Sequence, residues 1–323
     1  MFAFALRRLL AALATLIGVL TLVFVLLSAA PGDPAALAAR GSGARAVSPQ
    51  ALEAFRRLYG LDQPLPVQYL AWAGRAVRLD FGRSFQDGRP VGQRLAETLP
   101  PTLLLNGTAL LLALVLAVPC GVVAARRPGG RFDRVTGAGF DLLFATPSFV
   151  LGLLLLLVFA AKLRLAPFFA DPSLGLRGLA LPVSTLGLAS VALLARFVRT
   201  CVRAALDDPA ALAARARGEG ERAAVRRALR RSAGAFSALA ASLVPALLTG
   251  SVLVERLFAW PGAGRLLADA VFARDVPVVL GLTVVAGLAV VGASVAADLV
   301  SAWLDPRLRE VVAWDMSAAG ARP

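Results

Sequence analysis

The sequence contains no histidine, two cysteines and a single lysine, and each scarcity removes a class of chemistry. Without histidine there is no imidazole base and no His-containing metal site. Cys120 and Cys201 give no disulfide framework, and two thiols without histidine make a poor zinc site. A P-loop needs Gly-Lys-Ser/Thr to hold phosphates. The only lysine, Lys162, stands between Ala161 and Leu163, so the sequence carries no such loop. Charge is also scarce. Charged residues make up 17% of the chain against 58% hydrophobic, and the mean hydropathy is +0.74. A soluble domain carries about 25% charge, so this chain lacks the polar surface to coat itself in water.

What the sequence has instead is long apolar runs. Leu9 to Gly32 is free of charge and holds thirteen Leu, Ile, Val or Phe residues. At their transfer values near a helix centre these favour membrane insertion by roughly 4 to 8 kcal/mol. The run is longer than the apolar stretch of a cleaved signal peptide, and Pro31 directly follows the one small-residue cut site, Ser28-Ala29-Ala30. It reads as a retained helix. Five further charge-free stretches follow: Thr98–Ala125, Leu142–Ala161, Gly178–Ala195, Ser232–Val254 and Val276–Ala297. Each is apolar enough to cross a core of about 30 Å. Pro119, Pro147 and Pro182 are positioned to bend helix ends. The expectation is an all-α integral membrane protein with six transmembrane helices.

The net charge of +14 is almost wholly arginine. Nucleic acid is one reading of such a balance, but here the arginines follow membrane topology. Arg7 and Arg8 precede the first span, Arg126, Arg127, Arg131 and Arg134 separate the second and third, and nine more lie from Arg199 to Arg231. Arginine in short loops marks the cytoplasmic side. Both termini are therefore expected in the cytoplasm, with lipid as the surrounding phase and no nucleic-acid partner.

The loops carry the rest of the information. Asp33-Pro34 and Ser48-Pro49 read as helix starts, with one helix ending at Gly60 and another running from about Pro66 to Leu79. This makes residues 33–98 a small extracytoplasmic helical subdomain, which caps the bundle or meets a soluble partner. On the inner side Asp208-Pro209 starts an alanine-rich helix to Arg217, stopped by Gly218, and a second helix begins near Glu221. Arg222, Arg226 and Arg230 recur every four residues, as do Arg227 and Arg231, which reads as a solvated or headgroup-facing stripe. A short helix of small residues gains little in water by itself, so a groove on a partner protein explains it well. Trp260-Pro261-Gly262-Ala263-Gly264 reads as a tight turn with the tryptophan at the membrane interface, flanked by solvated Glu255 and Asp275. Asp298 is the acid nearest the interior of a span.

Taken together these residues resemble the permease subunits of ATP-binding-cassette importers for dipeptides, oligopeptides, nickel and related solutes, and specifically the first of the two permeases. The likeness rests on Arg7-Arg8-Leu9, Pro31-Gly32-Asp33-Pro34, the run Gly60 to Tyr69, Asp80-Phe81-Gly82-Arg83-Ser84-Phe85, Pro90-Val91, Leu99-Pro100-Pro101-Thr102-Leu103, Trp260 to Gly264, Arg274-Asp275 and Asp305-Pro306-Arg307, in that order. It implies a type I importer permease fold: residues 1–32 as terminus and first helix, 33–98 outside, 99–310 as the permease core and 311–323 as a cytoplasmic tail. It also implies an ATPase-docking loop at about 199–231, with Asp208, Ala213, Ala214, Arg215, Ala216, Arg217, Gly218 and Glu219 at its centre. The family pattern Ala-Arg-Ala-Lys-Gly appears here as Ala214-Arg215-Ala216-Arg217-Gly218. Three departures stand out: Pro209 where the family has tyrosine, no proline near Ala235, and the arginines Arg230 and Arg231 in a more apolar stretch. The implied partners are a second permease, two ATPase subunits holding ATP and magnesium, and an extracytoplasmic solute-binding protein. The resemblance implies an inner-membrane transport subunit with no catalytic residue, metal or cofactor of its own. The rival reading is a secondary transporter driven by an ion gradient, which would bury acids at mid-membrane.

Overall fold

The computed structural model describes residues 2–30, 32, 35–36 and 49–304. Among them the regular elements are helical: α1 Phe2–Ala29, α2 Pro49–Tyr59, α3 Leu65–Ala76, α4 Val91–Arg126, α5 Arg131–Ala145, α6 Ser148–Leu155 continuing as a π-helical stretch Leu156–Lys162, α7 Leu176–Asp207, α8 Pro209–Ala216, α9 Glu221–Leu257, α10 Ala263–Ala273 and α11 Val276–Leu304. Helices dominate because a segment in hydrocarbon must satisfy its own backbone. Pro31, Asp33-Pro34, Ser48, Asp305-Pro306-Arg307 and the expected tail 311–323 lie outside the described residues.

Five helices are long and apolar enough to cross a bilayer, or six if α5 and α6 form one bent span. That bend corrects the expected third span, Leu142–Ala161. The helix stops at Ala145, turns by 108° and restarts at Ser148. Pro147 is the cause: it lacks an N–H and pushes the preceding Thr146 into extended backbone, ψ 121°. Pro119 and Pro182 do not end their helices; each lies within an unbroken one.

The segment expected as an inner loop is also corrected. α7 runs to Asp207 and α9 begins at Glu221, leaving only α8 and short turns between them. Hydropathy marks the part of a helix that lies in lipid, whereas the hydrogen-bond ladder continues into water. At 1.5 Å per residue the 37 residues of α9 extend about 55 Å, well beyond a hydrocarbon core of about 30 Å.

The chain forms two compact units. Among the described residues, one comprises those within 2–6, 104–260 and 290–304; the other comprises those within 7–103 and 261–289. In the first, Leu105, Ala109, Ala113 and Ala117 recur every four residues along α4, fully buried, in one cluster with Leu186, Leu194 and Ala195 of α7 and Leu247 and Val254 of α9. The expected fourth span is the shortest apolar run in the sequence, yet α7 is the most deeply buried of the five crossing helices. A helix surrounded by protein needs small residues more than greasy ones. Gly121 and Gly187 supply the close approach. A Cβ at Gly121 would stand 2.6 Å from the Ala195 carbonyl oxygen, and one at Gly187 would stand 2.9 Å from Leu112. In the second unit Leu20 and Phe24 of α1 cluster with Trp72, Phe81, Leu95, Leu266 and Val278 to Leu280.

Gly121→Leu is expected to force α4 from α7 and cost about 1–3 kcal/mol by overpacking. Gly107→Ala, where an added Cβ meets nothing within 4 Å, should be neutral. Thermal unfolding in detergent compares the two; equal melting temperatures would contradict this packing.

Candidate functional site

The docking residues expected from sequence lie together at the polar ends of α7 and α9. Asp208 starts α8 by accepting the Ala210 N–H at 2.8 Å through its side chain, so the Asp-Pro pair performs the role read from sequence. α8 ends at Ala216, one residue before the expected Arg217. The chain then turns at Gly218, whose φ of +93° suits glycine. The faces of α8 divide cleanly. Ala211 and Ala214 are buried in the unit, whereas Leu212, Ala213, Ala216 and Arg217 are exposed, Leu212 at 52%. Arg215 lies within α8.

Two acids bracket this helix, and both meet α9. Asp208 stands 3.5 Å from Arg231, and Glu219 forms an ion pair with Arg227. Arg227 and Arg231 are one helical turn apart, so a single stripe on α9 holds both ends of α8. These two arginines were expected to face solvent or headgroups; the structure gives each a carboxylate. Arg126 of α4 adds a third link, 2.7 Å from Glu221 at the start of α9.

The second assembly of motif residues lies in the other unit. Asp275 is fully buried. The Ser84 hydroxyl donates to one of its oxygens, the Phe85 N–H donates to the other at 2.9 Å, and the Arg94 guanidinium stands 3.6 Å away. Burial pushes the Asp275 carboxyl above the ordinary carboxylate value, while these three groups pull it part of the way back. The neighbouring Arg274 adopts a left-handed backbone at the end of α10, φ 54°, and donates to the carbonyls of Ala30 and Gly32 at 3.1 and 2.9 Å. The Ala263 N–H donates to the Thr102 hydroxyl at 2.7 Å, capping α10 with a residue of α4. Glu255, Asp275 and Trp260 correct the sequence reading, since none is exposed: the two acids are not solvated and the tryptophan is not an interface anchor. Pro261 and Gly262 form the turn into α10, and Gly264 is buried within it.

Two family models divide the chain. Residues 117–310 match the binding-protein-dependent transport system inner membrane component, and residues 1–106 match the N-terminal part of such membrane components. The chain belongs to this family. It is 35% identical over 319 residues to the oligopeptide transport system permease protein AppB of Bacillus subtilis, covering 95% of this chain and 99% of that protein. It is 36% identical to a putative peptide permease protein of Brucella suis over 320 residues, covering 96% and 99%. The dipeptide transport system permease protein DppB of Lactococcus lactis is 34% identical over 308 residues, covering 95% and 99%. The chain is thus a multi-pass membrane component of a transport system with the type I importer permease fold, as its motifs imply. Family membership favours binding-protein-dependent transport over the gradient-driven alternative.

Sequence reading missed Arg94 as the cation beside Asp275, and Thr102 as a cap. Both lie in or beside quoted motifs, but their partners are more than 150 positions away, and nothing in one sequence pairs them. Asp275→Ala is expected to cost about 2–4 kcal/mol, because the Phe85 N–H and Arg94 lose a buried acceptor. Asp275→Asn should be milder. With its pKa raised, Asp275 holds its proton more tightly folded than unfolded, so its contribution is full below the unfolded value and declines as pH rises through the folded one. The wild type should therefore lose stability relative to Asp275→Asn as pH rises through that window, read by unfolding in detergent. The opposite slope would show an acid held below its ordinary value.

Proposed function

We propose that this chain is one of two permease subunits of an ATP-driven importer in the cytoplasmic (inner) membrane, with both termini inside, and that its solute is a peptide. Its near full-length likeness to relatives named for oligopeptide, peptide and dipeptide transport supports the peptide assignment. The observation that carries the mechanism is the outward face of α8. Leu212, Ala213 and Ala216 form a small apolar surface at the water-exposed end of two long helices, sized to enter a groove on a soluble partner. We read that partner as an ATPase subunit holding ATP and magnesium, since the sequence has no P-loop. In the same proposal a binding protein delivers the peptide from outside the cell membrane, and residues 49–98 are assigned to that side.

In this reading ATP acts at a distance, by moving α8. The bracketing ion pairs decide where that motion goes. With Asp208 and Glu219 tied to Arg231 and Arg227, a displacement of α8 is passed to α9 along its length instead of being absorbed in the four-residue turn 217–220. A partner shifts a conformational equilibrium only by its differential interaction with the two states; in this proposal the ATPase supplies that difference and the clamp passes it to α9.

Uptake of a labelled dipeptide or oligopeptide into vesicles holding the assembled transporter should require ATP and the binding protein. Uptake by this chain alone on an ion gradient would overturn the proposal. Glu219→Arg is expected to lower transport per ATP hydrolysed by about tenfold while ATPase subunits still co-purify, and Glu219→Arg with Arg227→Glu should recover most of it, as interacting pairs do. Failure of the charge exchange to recover coupling would remove the clamp and leave the docking face standing.

A further inference from the structure

A cavity of about 680 Å³ opens in the unit formed by residues 7–103 and 261–289; the docking residues do not line it, and of the Asp275 network only Phe85 does. Its lining is unbalanced in charge. Arg57, Arg75 and Arg83 line it against one acid, Asp80, whose carboxylate already accepts the Gly82 N–H at 2.9 Å. The arginines have little to satisfy them. Arg57 reaches Glu53 only at 4.0 Å, Arg83 donates to the Gly88 carbonyl, and Arg75 has no ion pair among the described residues.

The cavity is also unfinished on its apolar side. Leu58 and Val67 line it and are 77% and 49% exposed. Such groups need cover, and a small free anion gives none. Depth indicates what can cover them. Phe24 lines the cavity from within the apolar α1, five residues before its end at Ala29, or about 8 Å along the axis. Leu280 lines it from the same distance scale inside α11, four residues after Val276. The cavity therefore joins the apolar segments Leu10–Ala29 and Val276–Ala296 to the polar subdomain beside them, the level at which lipid headgroups are expected. At that level the available molecule combining an anion with an apolar tail is a lipid.

We propose that this cavity is a binding site for an anionic phospholipid, whose phosphate is received by Arg57, Arg75 and Arg83 and whose acyl chain covers Leu58 and Val67. Guanidinium groups match phosphate in geometry and need no deprotonation at any working pH. The lipid would hold α2 and α3 against the ends of α1 and α11 and make the subdomain 49–98 responsive to membrane composition. This site stands independently of which solute is carried.

The test is lipid retention by the transporter purified with its partner subunits and examined by native mass spectrometry. Phosphatidylglycerol and phosphatidylcholine are offered in equal amounts. The wild type should retain phosphatidylglycerol about tenfold in preference. Arg57→Gln, Arg75→Gln and Arg83→Gln combined should abolish that preference, while Arg222→Gln, Arg226→Gln and Arg230→Gln, an equal loss of charge elsewhere, should keep it. Should the triple cavity variant not assemble, Arg75→Gln alone, at an exposed position, should reduce the preference at least threefold. Equal retention of the two lipids, or a preference that survives loss of the cavity arginines, would overturn the proposal. Displacement of the lipid by millimolar inorganic phosphate or by a soluble acidic tripeptide would reassign the cavity to a free anion and overturn it equally.

Discussion

Hydrocarbon offers a chain no hydrogen-bond partner, and this constraint orders the whole molecule. Each crossing segment closes its own backbone ladder as a helix. Side chains that would need water are moved to the ends. Asp208, Glu219, Glu221 and their arginines gather where α7 and α9 emerge from the apolar region, while Asp275 and Arg94 stand beside the start of α11 and α4. The polar residues of this permease are therefore confined to two zones. One holds α8 against α9 in the first unit, and the other fixes the small subdomain within the second.

Small residues do within the spans what salt bridges do at their ends. Lipid tails are as apolar as leucine, so helices gain little by burying leucine against leucine and much by close contact. The alanine column Leu105-Ala109-Ala113-Ala117 of α4 and the glycines at 121 and 187 bring α7 into the centre of its unit. That is why the helix with the shortest apolar run became the most buried. A window that scores greasiness detects contact with lipid and underrates contact with protein.

The sequence disclosed the number and order of the spans, the start of α8 at Asp208-Pro209 and the turn at Gly218, because each follows from local chemistry: apolar length, a capping carboxylate, a positive φ. It misled where the outcome was decided by distant residues. Trp260, Glu255 and Asp275 look like surface groups by type, yet the fold buries all three. Motifs that stand apart in the chain prove to be halves of contacts: Ser84-Phe85 with Asp275, Pro101-Thr102 with the Gly262-Ala263 turn, and Arg274 with the carbonyls that end α1. A residue kept for its partner looks featureless when read alone. The bend at Pro147 is an intermediate case, since the proline was visible but its 108° effect depends on what surrounds it.

The departures from the family pattern around α8 gain a meaning from the same geometry. Asp208 caps the first turn of the helix that Pro209 opens, and its carboxylate also stands beside α9. Arg231, out of place in an apolar stretch by the family pattern, is the residue that meets it. Glu219 and Arg227 repeat the arrangement at the other end. Each pair is partly exposed and on its own worth little, because solvent screens it and long side chains lose freedom in forming it. Two pairs on one helical stripe act differently from one. A single contact permits α8 to pivot about it, whereas two contacts separated by the length of α8 remove the pivot. On the proposed mechanism the helix and the first turns of α9 would move as one body, an effect of geometry more than of the strength of either bond.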